Sequence, residues 1–168
     1  MLYVCSLSRL QQTADETGAK TLVTLINAGT PVKRPASIAK DDHLFLGFND
    51  IIEPIEGLTP PGADHVRTLI DFSGRWDRAA PLLVHCWAGI SRSTAGAYII
   101  ACARNPDADE EALADALRTA SPSATPNARL VAFADEILGR DGRMVRAIRR
   151  IGRGADAFEG APFMLDFA

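Results

Sequence analysis

The chain has 168 residues, of which 47% are hydrophobic and 23% are charged, and its formal net charge is −3. This length and composition predict one folded domain over residues 1–168 and exclude a disordered chain. The slight negative charge argues against nucleic acid as a partner, and the longest nearly unbroken apolar run, Ala95–Ala103, is far shorter than the roughly 20 residues of a membrane span.

Four short segments, rich in aliphatic residues and bounded by turn residues, predict β-strands. They are Leu2–Ser6, Thr21–Asn27, His43–Phe48 and Pro81–His85. The stretch Gly29–Asp42 lies between the second and third of these strands and contains two prolines with little periodicity. It therefore predicts a surface loop, the kind of segment in which binding residues often lie.

Amphipathic patterns with helix-start signals lie between and after the predicted strands. The start signals are Ser8 with Gln11, Thr59 with Pro60, Asp107 with Glu110, and Thr125 with Pro126. A helical pattern resumes over Met144–Ile151, whereas Gly154–Ala168 has little pattern. Strands that alternate with helices early, followed by a helical C-terminal half, predict a single-domain α/β sandwich. Its central, mostly parallel sheet of about four to five strands is flanked by helices.

The segment Pro81–Thr94 combines a nucleophile with an anion-binding design. A buried strand ends at His85, Cys86 follows, five residues lead to Arg92, and a helical pattern continues from there. At such a strand–loop–helix junction successive backbone N–H groups converge, and the helix dipole adds partial positive charge. Gly89 permits the sharp turn, and the planar guanidinium of Arg92 matches two phosphate oxygens at once.

The full combination of residues is far more specific than its parts. With this composition, a bare Cys-x5-Arg is expected by chance in roughly a quarter of such chains, so it is a weak signal. A histidine before the cysteine, a glycine three positions after it and a serine after the arginine reduce that chance to about 10⁻⁵. The motif therefore indicates a function rather than a coincidence.

The stretch His85-Cys86-Trp87-Ala88-Gly89-Ile90-Ser91-Arg92-Ser93 resembles the His-Cys-x5-Arg-Ser/Thr signature of cysteine-dependent protein tyrosine phosphatases, including the dual-specificity group. The short chain and the Arg-Ser ending are closer to compact dual-specificity-like or bacterial members, and residues 121–130 are similar to the region after the signature in the bacterial ones. The resemblance implies a tyrosine-phosphatase-like fold. It also implies hydrolysis of a phosphorylated protein or a small phosphomonoester without a metal or other cofactor.

The resemblance implies roles for these residues, and their chemistry agrees with it. Cys86 would attack phosphorus as a thiolate and form a phosphocysteine intermediate. Ser93 would donate a hydrogen bond to the sulfur, and His85 would orient the loop by hydrogen bonding. The phosphate oxygens would be held by the segment Trp87, Ala88, Gly89, Ile90, Ser91 and Arg92.

The mechanism also needs an acid that protonates the leaving oxygen, which in this family is an aspartate on a loop upstream of the cysteine. Asp50 fits best, because it follows a predicted strand and precedes a turn-rich loop ahead of Cys86. Such a loop would lie at the sheet edge where α/β sites form. Glu53 is the nearest competitor and Asp64 the next, whereas Asp42 lies on the wrong side of the strand.

Several other residues have plainer interpretations. Cys5 and Cys102 are expected in the core, and Trp87 either lines the mouth of the pocket or packs under the loop. Asn127 is expected in the first turn of a helix, with the positioning of a water as the alternative. A basic stripe is expected to be a solvated helix face, with docking of an acidic partner as the alternative. It comprises Arg140, Arg143, Arg146, Arg149, Arg150 and Arg153.

Phosphotyrosine is the expected substrate, because the loop carries no lysine that would favour polyphosphoinositides or RNA 5′-triphosphates. A rhodanese-type sulfurtransferase is one alternative, although it needs neither the upstream aspartate nor the serine after the arginine. A non-catalytic phosphate-binding module is the other. The odd number of cysteines, three, and an N-terminus without signal-peptide features predict reduced thiols and a cytoplasmic location.

Overall fold

The strands of this chain form one mixed sheet, seen in a computed structural model that describes residues 1–167. The strands are β1 (Leu2–Ser6), β2 (Thr21–Ile26), β3 (His43–Gly47), β4 (Leu82–Cys86) and β5 (Phe163–Leu165). Their order across the sheet is β3-β2-β4-β1-β5. The first four strands are parallel to one another, and β5 pairs antiparallel with β1 at the edge.

Helices cover both faces of the sheet. They are α1 (Leu10–Thr17), α2 (Ala63–Gly74), α3 (Arg92–Arg104), α4 (Glu110–Ala120), α5 (Ala128–Ile137) and α6 (Arg143–Ile151), with short 3₁₀ turns at Leu7–Arg9 and Lys40–Asp42. None of the helices within residues 1–167 combines the length and the apolar character that a membrane crossing requires. The predicted α/β sandwich with a mostly parallel sheet is confirmed.

The two faces of the sheet bury different helices, because successive side chains of a strand point to opposite faces. Along β2, Leu22 packs in the smaller core with Leu10 and Ala14 of α1. Val23 and Leu25, whose side chains point to the opposite face from Leu22, pack in the larger core, which α2 to α6 cover. The apolar, hydrogen-bonded strands therefore provide a rigid platform in which the carboxyl ends of the four parallel strands, β1 to β4, lie at one edge.

The helix α3 is the centre of the larger core, and its residues from Arg92 to Cys102 are all buried. Gly96 allows this close packing, because a Cβ at that position would lie 2.6 Å from the Cδ1 atom of Leu25 in β2. The close approach of α3 to β2 fixes the N-terminus of α3, and with it Arg92, against the sheet edge.

The structure corrects several of the predicted helix starts. The N-cap of α4 is Asp109 and that of α5 is Asn127, each two positions after the predicted cap, and α2 begins at Ala63. Ser8 does not cap α1, because its hydroxyl donates to the carboxylate of Glu159. The strand β5 lies in the C-terminal segment for which no element was predicted.

The basic stripe is not wholly solvated. Arg140 is buried, and its Nη1 donates to the carboxylate of Glu110 at 2.8 Å, while its Nη2 donates to the carbonyl of Cys102 at 2.7 Å. Arg143 also donates to Glu110, at 3.1 Å. Burial alone would raise the pKa of Glu110, but hydrogen bonds from its own backbone N–H and from Arg143 and Arg140 lower that pKa below its usual value. Arg140 therefore joins α4 to the turn before α6 instead of facing solvent.

Candidate active site

The residues that the motif singles out lie where β4 ends and α3 begins. Residues 86–92, which we call the Cys86 loop, leave the carboxyl end of the central strand β4 and enter the first turn of α3. The polypeptide at this junction is held from outside by four backbone hydrogen bonds. The carbonyls of Trp87, Ala88, Ile90 and Ser91 accept from the N–H groups of Leu7, Gly160, Thr125 and Asn127 at 3.1, 2.8, 2.9 and 3.3 Å.

These outward carbonyls orient the N–H groups of the loop. In a planar trans peptide the C=O of one residue and the N–H of the next point in opposite directions. The N–H groups of Ala88, Gly89, Ser91 and Arg92 are therefore directed toward the inside of the loop. One of them shows this directly, because Gly89 N lies 3.3 Å from the sulfur of Cys86. The loop interior is a site of concentrated donors, suited to an anion.

Gly89 is required by the shape of the loop. Its φ is +72°, a conformation that L side chains rarely adopt, and a Cβ there would lie 2.9 Å from the backbone nitrogen of Ser6. The loop therefore packs directly on the end of β1, with no room for a side chain between them. The sequence predicts a sharp turn at Gly89, and the structure adds the close approach of this residue to β1.

The sulfur of Cys86 lies at the floor of the loop, and the residue is 3% exposed. Its partners are the Gly89 N–H and the hydroxyl of Ser93, which lies 3.0 Å away. A cysteine among hydrogen-bond donors at a helix N-terminus is in the kind of electropositive surroundings that stabilise a thiolate.

The other two cysteines are in different surroundings. Cys5 and Cys102 are buried in the cores, as expected. Burial raises the pKa of each of these thiols to about 12. They are therefore protonated and poorly reactive in the folded protein at neutral pH.

Arg92 is 6% exposed, and one of its nitrogens is already engaged. Its Nη1 donates to Asn27 Oδ1 at 2.6 Å and to the carbonyl of Phe48 at 2.7 Å. Within the described part of the chain, its buried Nε has no hydrogen-bond partner. A buried charged donor without a partner is costly, and an anion in the loop is the group that would satisfy it.

His85 joins the Cys86 loop to the sheet. Its Nδ1 lies 3.2 Å from the carbonyl of Cys86, and its Nε2 lies 2.8 Å from Thr24 Oγ1, which also lies 2.8 Å from His43 Nε2. A carbonyl only accepts, so Nδ1 carries the proton, Thr24 donates to Nε2 of His85, and His43 donates to Thr24. Burial lowers the pKa of His85 to about 4, which keeps the ring neutral and this chain of donors intact.

Asp50 lies against the rim of the Cys86 loop. It follows β3 by three positions, it is exposed, and its Oδ1 accepts hydrogen bonds from Ser91 Oγ and Asn127 Nδ2, both at 2.8 Å. Ser91 belongs to the loop itself, so the carboxyl is held beside the opening above Cys86. The structure thus brings together Asp50, Cys86, Arg92 and Ser93.

The competing carboxylates lie elsewhere. Glu53 lines a cavity of about 280 Å³ between the segment after β3 and helices α5 and α6. Asp64 is on the first turn of α2 and pairs with Arg67 at 2.9 Å. Asp42 ends the 3₁₀ turn that enters β3, at the opposite end of that strand from Asp50.

A mostly apolar cavity lies beside the Cys86 loop. Trp87 is 59% exposed and, with Leu7, Ala88 and Phe158, lines a cavity of about 210 Å³. This exposure argues against the interpretation in which Trp87 packs under the loop. The cavity also shows that the C-terminal segment contributes to the surroundings of the site.

Three residues in the surroundings of the site were missed or assigned elsewhere from the sequence. Asn27 holds Arg92, Asn127 reaches Asp50 from the start of α5, and Glu159 accepts from the hydroxyls of Ser6 and Ser8. Asn27 directly follows β2, and Asn127 directly precedes α5. An asparagine at the end of a strand or the start of a helix is the one signal that could have drawn attention to them. The contact of Glu159 spans almost the entire chain and has no local signal.

Solved structures of phosphatases and of a phosphatase-like protein resemble this chain over most of its length. The Cydia pomonella PTP-2 phosphatase matches with a TM-score of 0.63 and 20% identity, over 80% of this chain and 84% of its own. Human DUSP28 matches with 0.60 and 18%, over 90% and 95%. The human tyrosine phosphatase-like serine/threonine/tyrosine-interacting protein matches with 0.62 and 18%, over 83% and 92%.

No family model and no curated protein matches this sequence. The likeness therefore lies in the arrangement of the helices and strands. The resemblance inferred from nine residues is confirmed for the fold: the chain has the fold of the cysteine-dependent protein tyrosine phosphatases, of the compact dual-specificity-like type.

Proposed function

We propose that this protein is a phosphomonoester hydrolase of the protein tyrosine phosphatase type, acting through a phosphocysteine intermediate. The observation that carries the proposal is the hydrogen bond from Ser91 to Asp50. It holds a carboxyl group at the opening of the loop that contains Cys86 and Arg92. A nucleophile, an anion site and a proton donor are the three parts that this reaction requires.

In the first step the thiolate of Cys86 attacks phosphorus, and a P–S bond forms as the bond from phosphorus to the leaving oxygen breaks. The leaving oxygen takes the proton of the Asp50 carboxyl, so an alcohol or phenol departs. Arg92 and the inward N–H groups of the loop bind the oxygens of the transferred group. The unpartnered Nε of Arg92 gains an acceptor in this step, while Asn27 and Phe48 hold the rest of the guanidinium in place.

In the second step a water attacks phosphorus, gives its proton to the Asp50 carboxylate, and the P–S bond breaks. The sulfur leaves as a thiolate, and inorganic phosphate is released. The Ser93 hydroxyl, 3.0 Å from the sulfur, stabilises that thiolate by donating a hydrogen bond. In both steps Arg92 and the inward N–H groups of the loop bind the negatively charged oxygens of the transferred phosphoryl group. The proposal therefore requires no metal.

The proposed substrate is a phosphorylated protein, with phosphotyrosine first, or a small phosphomonoester. The cavity beside Trp87 is lined mostly by apolar and aromatic side chains, with Ser8 and Glu159 as its polar residues, and aromatic side chains suit the ring of a phosphotyrosine. The proposed location is the cytoplasm, because the reaction needs the free thiol of Cys86 and the other two cysteines are also unpaired.

Two other functions would use the same loop. A rhodanese-type sulfurtransferase would use Cys86 but needs no carboxyl group beside the loop, so the contact between Ser91 and Asp50 favours the phosphatase. A phosphate-binding module would keep the loop without turnover. One structural neighbour is named a tyrosine phosphatase-like interacting protein, so turnover has to be measured directly.

The test compares Asp50→Asn with Glu53→Gln as the matched control. We expect wild-type protein to hydrolyse both phosphotyrosine and an activated aryl phosphate. Asp50→Asn should lose far more kcat on phosphotyrosine, because the phenol of tyrosine, with a pKa of about 10, leaves poorly without a proton. Its decline in kcat from acidic to neutral pH should also flatten. Glu53→Gln should behave like wild type.

Other outcomes would point elsewhere. If Glu53→Gln alone lost more kcat on phosphotyrosine than on the activated aryl phosphate, Glu53 instead of Asp50 would be the proton donor. The protein would still be a phosphatase. Activity that survives Cys86→Ser would overturn the proposal. Cyanide–thiosulfate turnover without phosphate release would identify the sulfurtransferase, and phosphopeptide binding without hydrolysis would identify the binding module.

A further inference from the structure

The segment between α6 and β5 crosses the outside of the Cys86 loop. It comprises residues 152–162, which we call the C-terminal strap. The start of the strap is held by Arg118, whose guanidinium donates to the carbonyls of Gly152 and Arg153 at 2.8 and 3.3 Å. Its other end continues into β5, which pairs with β1. The strap is therefore fixed to the domain at both ends, and the path between them passes the loop.

The strap meets the Cys86 loop at Gly160. The backbone N–H of Gly160 donates to the carbonyl of Ala88 at 2.8 Å, and a Cβ at Gly160 would lie 2.8 Å from the carbonyl oxygen of Gly89. The φ of Gly160 is not positive. Glycine is therefore required here by the close approach of the two backbones and not by a left-handed conformation.

One peptide unit connects this contact to the sulfur of Cys86. The peptide between Ala88 and Gly89 accepts the hydrogen bond of the strap through its C=O, and its N–H lies 3.3 Å from the sulfur. The C=O and the N–H of a planar trans peptide point in opposite directions, so a carbonyl held outward directs the N–H at the sulfur. A donor on the carbonyl also polarises the peptide and strengthens the N–H as a donor.

Glu159, the residue before Gly160, fastens the strap to the end of β1. Its carboxylate accepts from the hydroxyls of Ser6 and Ser8, and these hydrogen bonds lower the pKa of Glu159 below its usual value. Ser6 is buried and is the register partner of Cys86 between β1 and β4. The strap is therefore anchored directly beside the strand end that carries the nucleophile.

The strap also supports the other side of the loop. The backbone N–H of Gly154 donates to Thr125 Oγ1 at 3.1 Å, and Thr125 donates its own backbone N–H to the carbonyl of Ile90 at 2.9 Å. Of the outward carbonyls of the loop, that of Ala88 is thus held by the strap directly and that of Ile90 through Thr125.

We propose that the C-terminal strap is a positioning element of the candidate active site, in which Gly160 holds the peptide between Ala88 and Gly89 with its N–H on the sulfur of Cys86. The strap thereby stabilises the thiolate. The consequence for catalysis rests on the proposed function, whereas the effect on the sulfur can be measured without turnover. The strap contacts neither phosphorus nor the leaving group in this scheme, because it acts only through the loop.

The test displaces the strap without changing a charge. Gly160→Ala adds a Cβ that would lie 2.8 Å from the carbonyl oxygen of Gly89, so the strap must withdraw and its N–H must leave Ala88. Gly74→Ala is the matched control, because Gly74 also lacks a positive φ and a Cβ there would meet nothing within 4 Å.

A second variant, Ser6→Ala with Ser8→Ala, removes both donors to Glu159. The charged and titratable groups around the loop are the same in all of these proteins. They are Arg92 from α3, His85 from β4, Cys5 from β1, Asp50 from the segment after β3, Glu159 from the strap and Arg9, which is close to Glu159.

The quantity to measure is the rate at which iodoacetamide alkylates Cys86 as a function of pH, which reports the thiolate. We expect the pH midpoint of this rate to rise by about one unit in Gly160→Ala, the shift that one weakened hydrogen bond to a charged sulfur produces. Below the wild-type midpoint kcat/KM should fall about tenfold with it. The loss should be equal on phosphotyrosine and on an activated aryl phosphate, because the strap does not act on Asp50. The midpoint should also rise in the double serine variant and stay unchanged in Gly74→Ala.

The failures of the two proposals are distinguishable. An unchanged midpoint in a folded Gly160→Ala protein would overturn this inference, whether or not the wild type is a phosphatase. An equal rise in Gly74→Ala would also overturn it, because the effect would then not require contact with the loop. If Gly160→Ala does not fold, the double serine variant takes its place, and an unchanged midpoint there would overturn the inference. A wild type that hydrolyses no phosphomonoester would overturn the proposed function, and the labelling would still decide the role of the strap.

Discussion

The hydroxyl of Ser93, in the first turn of α3, lies 3.0 Å from the sulfur of Cys86 at the end of β4, and both residues are buried. Because a donor at this place stabilises the thiolate, its contribution is largest when the sulfur is the leaving group. In the proposed reaction that moment is the breakdown of the phosphocysteine intermediate. The contact therefore predicts that Ser93 contributes more to the second chemical step than to the first.

Ser93→Ala should lower kcat by about 10- to 100-fold, the range expected for a lost hydrogen bond to a charged group. Because only breakdown slows, the intermediate should accumulate, and rapid mixing with an activated aryl phosphate should give a burst of phenol. Ser93→Thr keeps the hydroxyl and is the control, with turnover near wild type. A Ser93→Ala protein without a burst, slowed equally in the first step, would contradict this assignment.

Gly89→Ala should disrupt the Cys86 loop. The added Cβ would lie 2.9 Å from the nitrogen of Ser6, in a residue whose φ is +72°, so the loop must move outward. We expect a loss of activity of at least about 100-fold, the cost of displacing preorganised donors, and a lower unfolding midpoint. The quantities to measure are kcat/KM and the midpoint of thermal unfolding.

Gly18→Ala is the matched control for this experiment. Gly18 also has a positive φ, +68°, but a Cβ there would meet nothing within 4 Å. It ends α1, away from the Cys86 loop, so its substitution should cost about 1 kcal/mol in stability and leave kcat/KM unchanged. Equal effects of the two substitutions on activity would show that backbone strain, rather than the contact with Ser6, governs the loop.

Iodoacetamide at near-neutral pH should modify Cys86 before the other two cysteines. Burial raises the pKa of Cys5 and of Cys102 to about 12, so both are thiols, which react poorly. Cys86 instead lies among the donors of its loop. Peptide mass spectrometry over time should find the label on Cys86 alone, and orthovanadate in the loop should slow it. Labelling of Cys5 or Cys102 at a comparable rate in the folded protein would contradict the prediction.

Much of the fold could be predicted from the sequence because its signals are local. The aliphatic runs of β1 to β4 give the sheet, and the motif from His85 to Ser93 gives the loop. The strand β5 was missed because three residues at a sheet edge carry no recognisable period. The caps of α4 and α5 were predicted two positions early, since neighbouring Asp, Thr and Asn residues all have cap chemistry and only the backbone selects one.

The candidate site was only partly predictable for a related reason. Cys86, Arg92 and Ser93 are close in sequence, so one motif contains them. The contact of Asp50 with Ser91 and Asn127 spans 41 and 77 positions, and no spacing in the sequence encodes it. Arg140 shows the same limit, because its burial depends on Glu110, 30 positions earlier. Contacts of this kind arise from the packing of helices on the sheet.

The free energy of unfolding should depend on the neutral state of His85. Burial lowers its pKa from 6.5 to about 4, so between these values the unfolded chain binds a proton that the folded chain does not. Linkage then requires that the contribution of His85 be fully present above about pH 6.5 and be lost as the pH falls toward about 4. A shift of this size corresponds to about 3 kcal/mol.

His85→Gln provides the measurement, because glutamine does not titrate. The free energies of unfolding in urea of the wild type and of His85→Gln should differ most above about pH 6.5, and the difference should narrow as the pH approaches about 4. Glu110 and the other carboxylates titrate in both proteins, so their effects cancel in the difference.

A charged His85 would donate from both ring nitrogens, and Thr24 could no longer donate to Nε2. The chain of hydrogen bonds to His43 would then have to reverse, and with it the support of the Cys86 carbonyl would change. A difference that stayed constant across this range would mean that His85 accepts a proton as readily in the folded protein as in the unfolded chain.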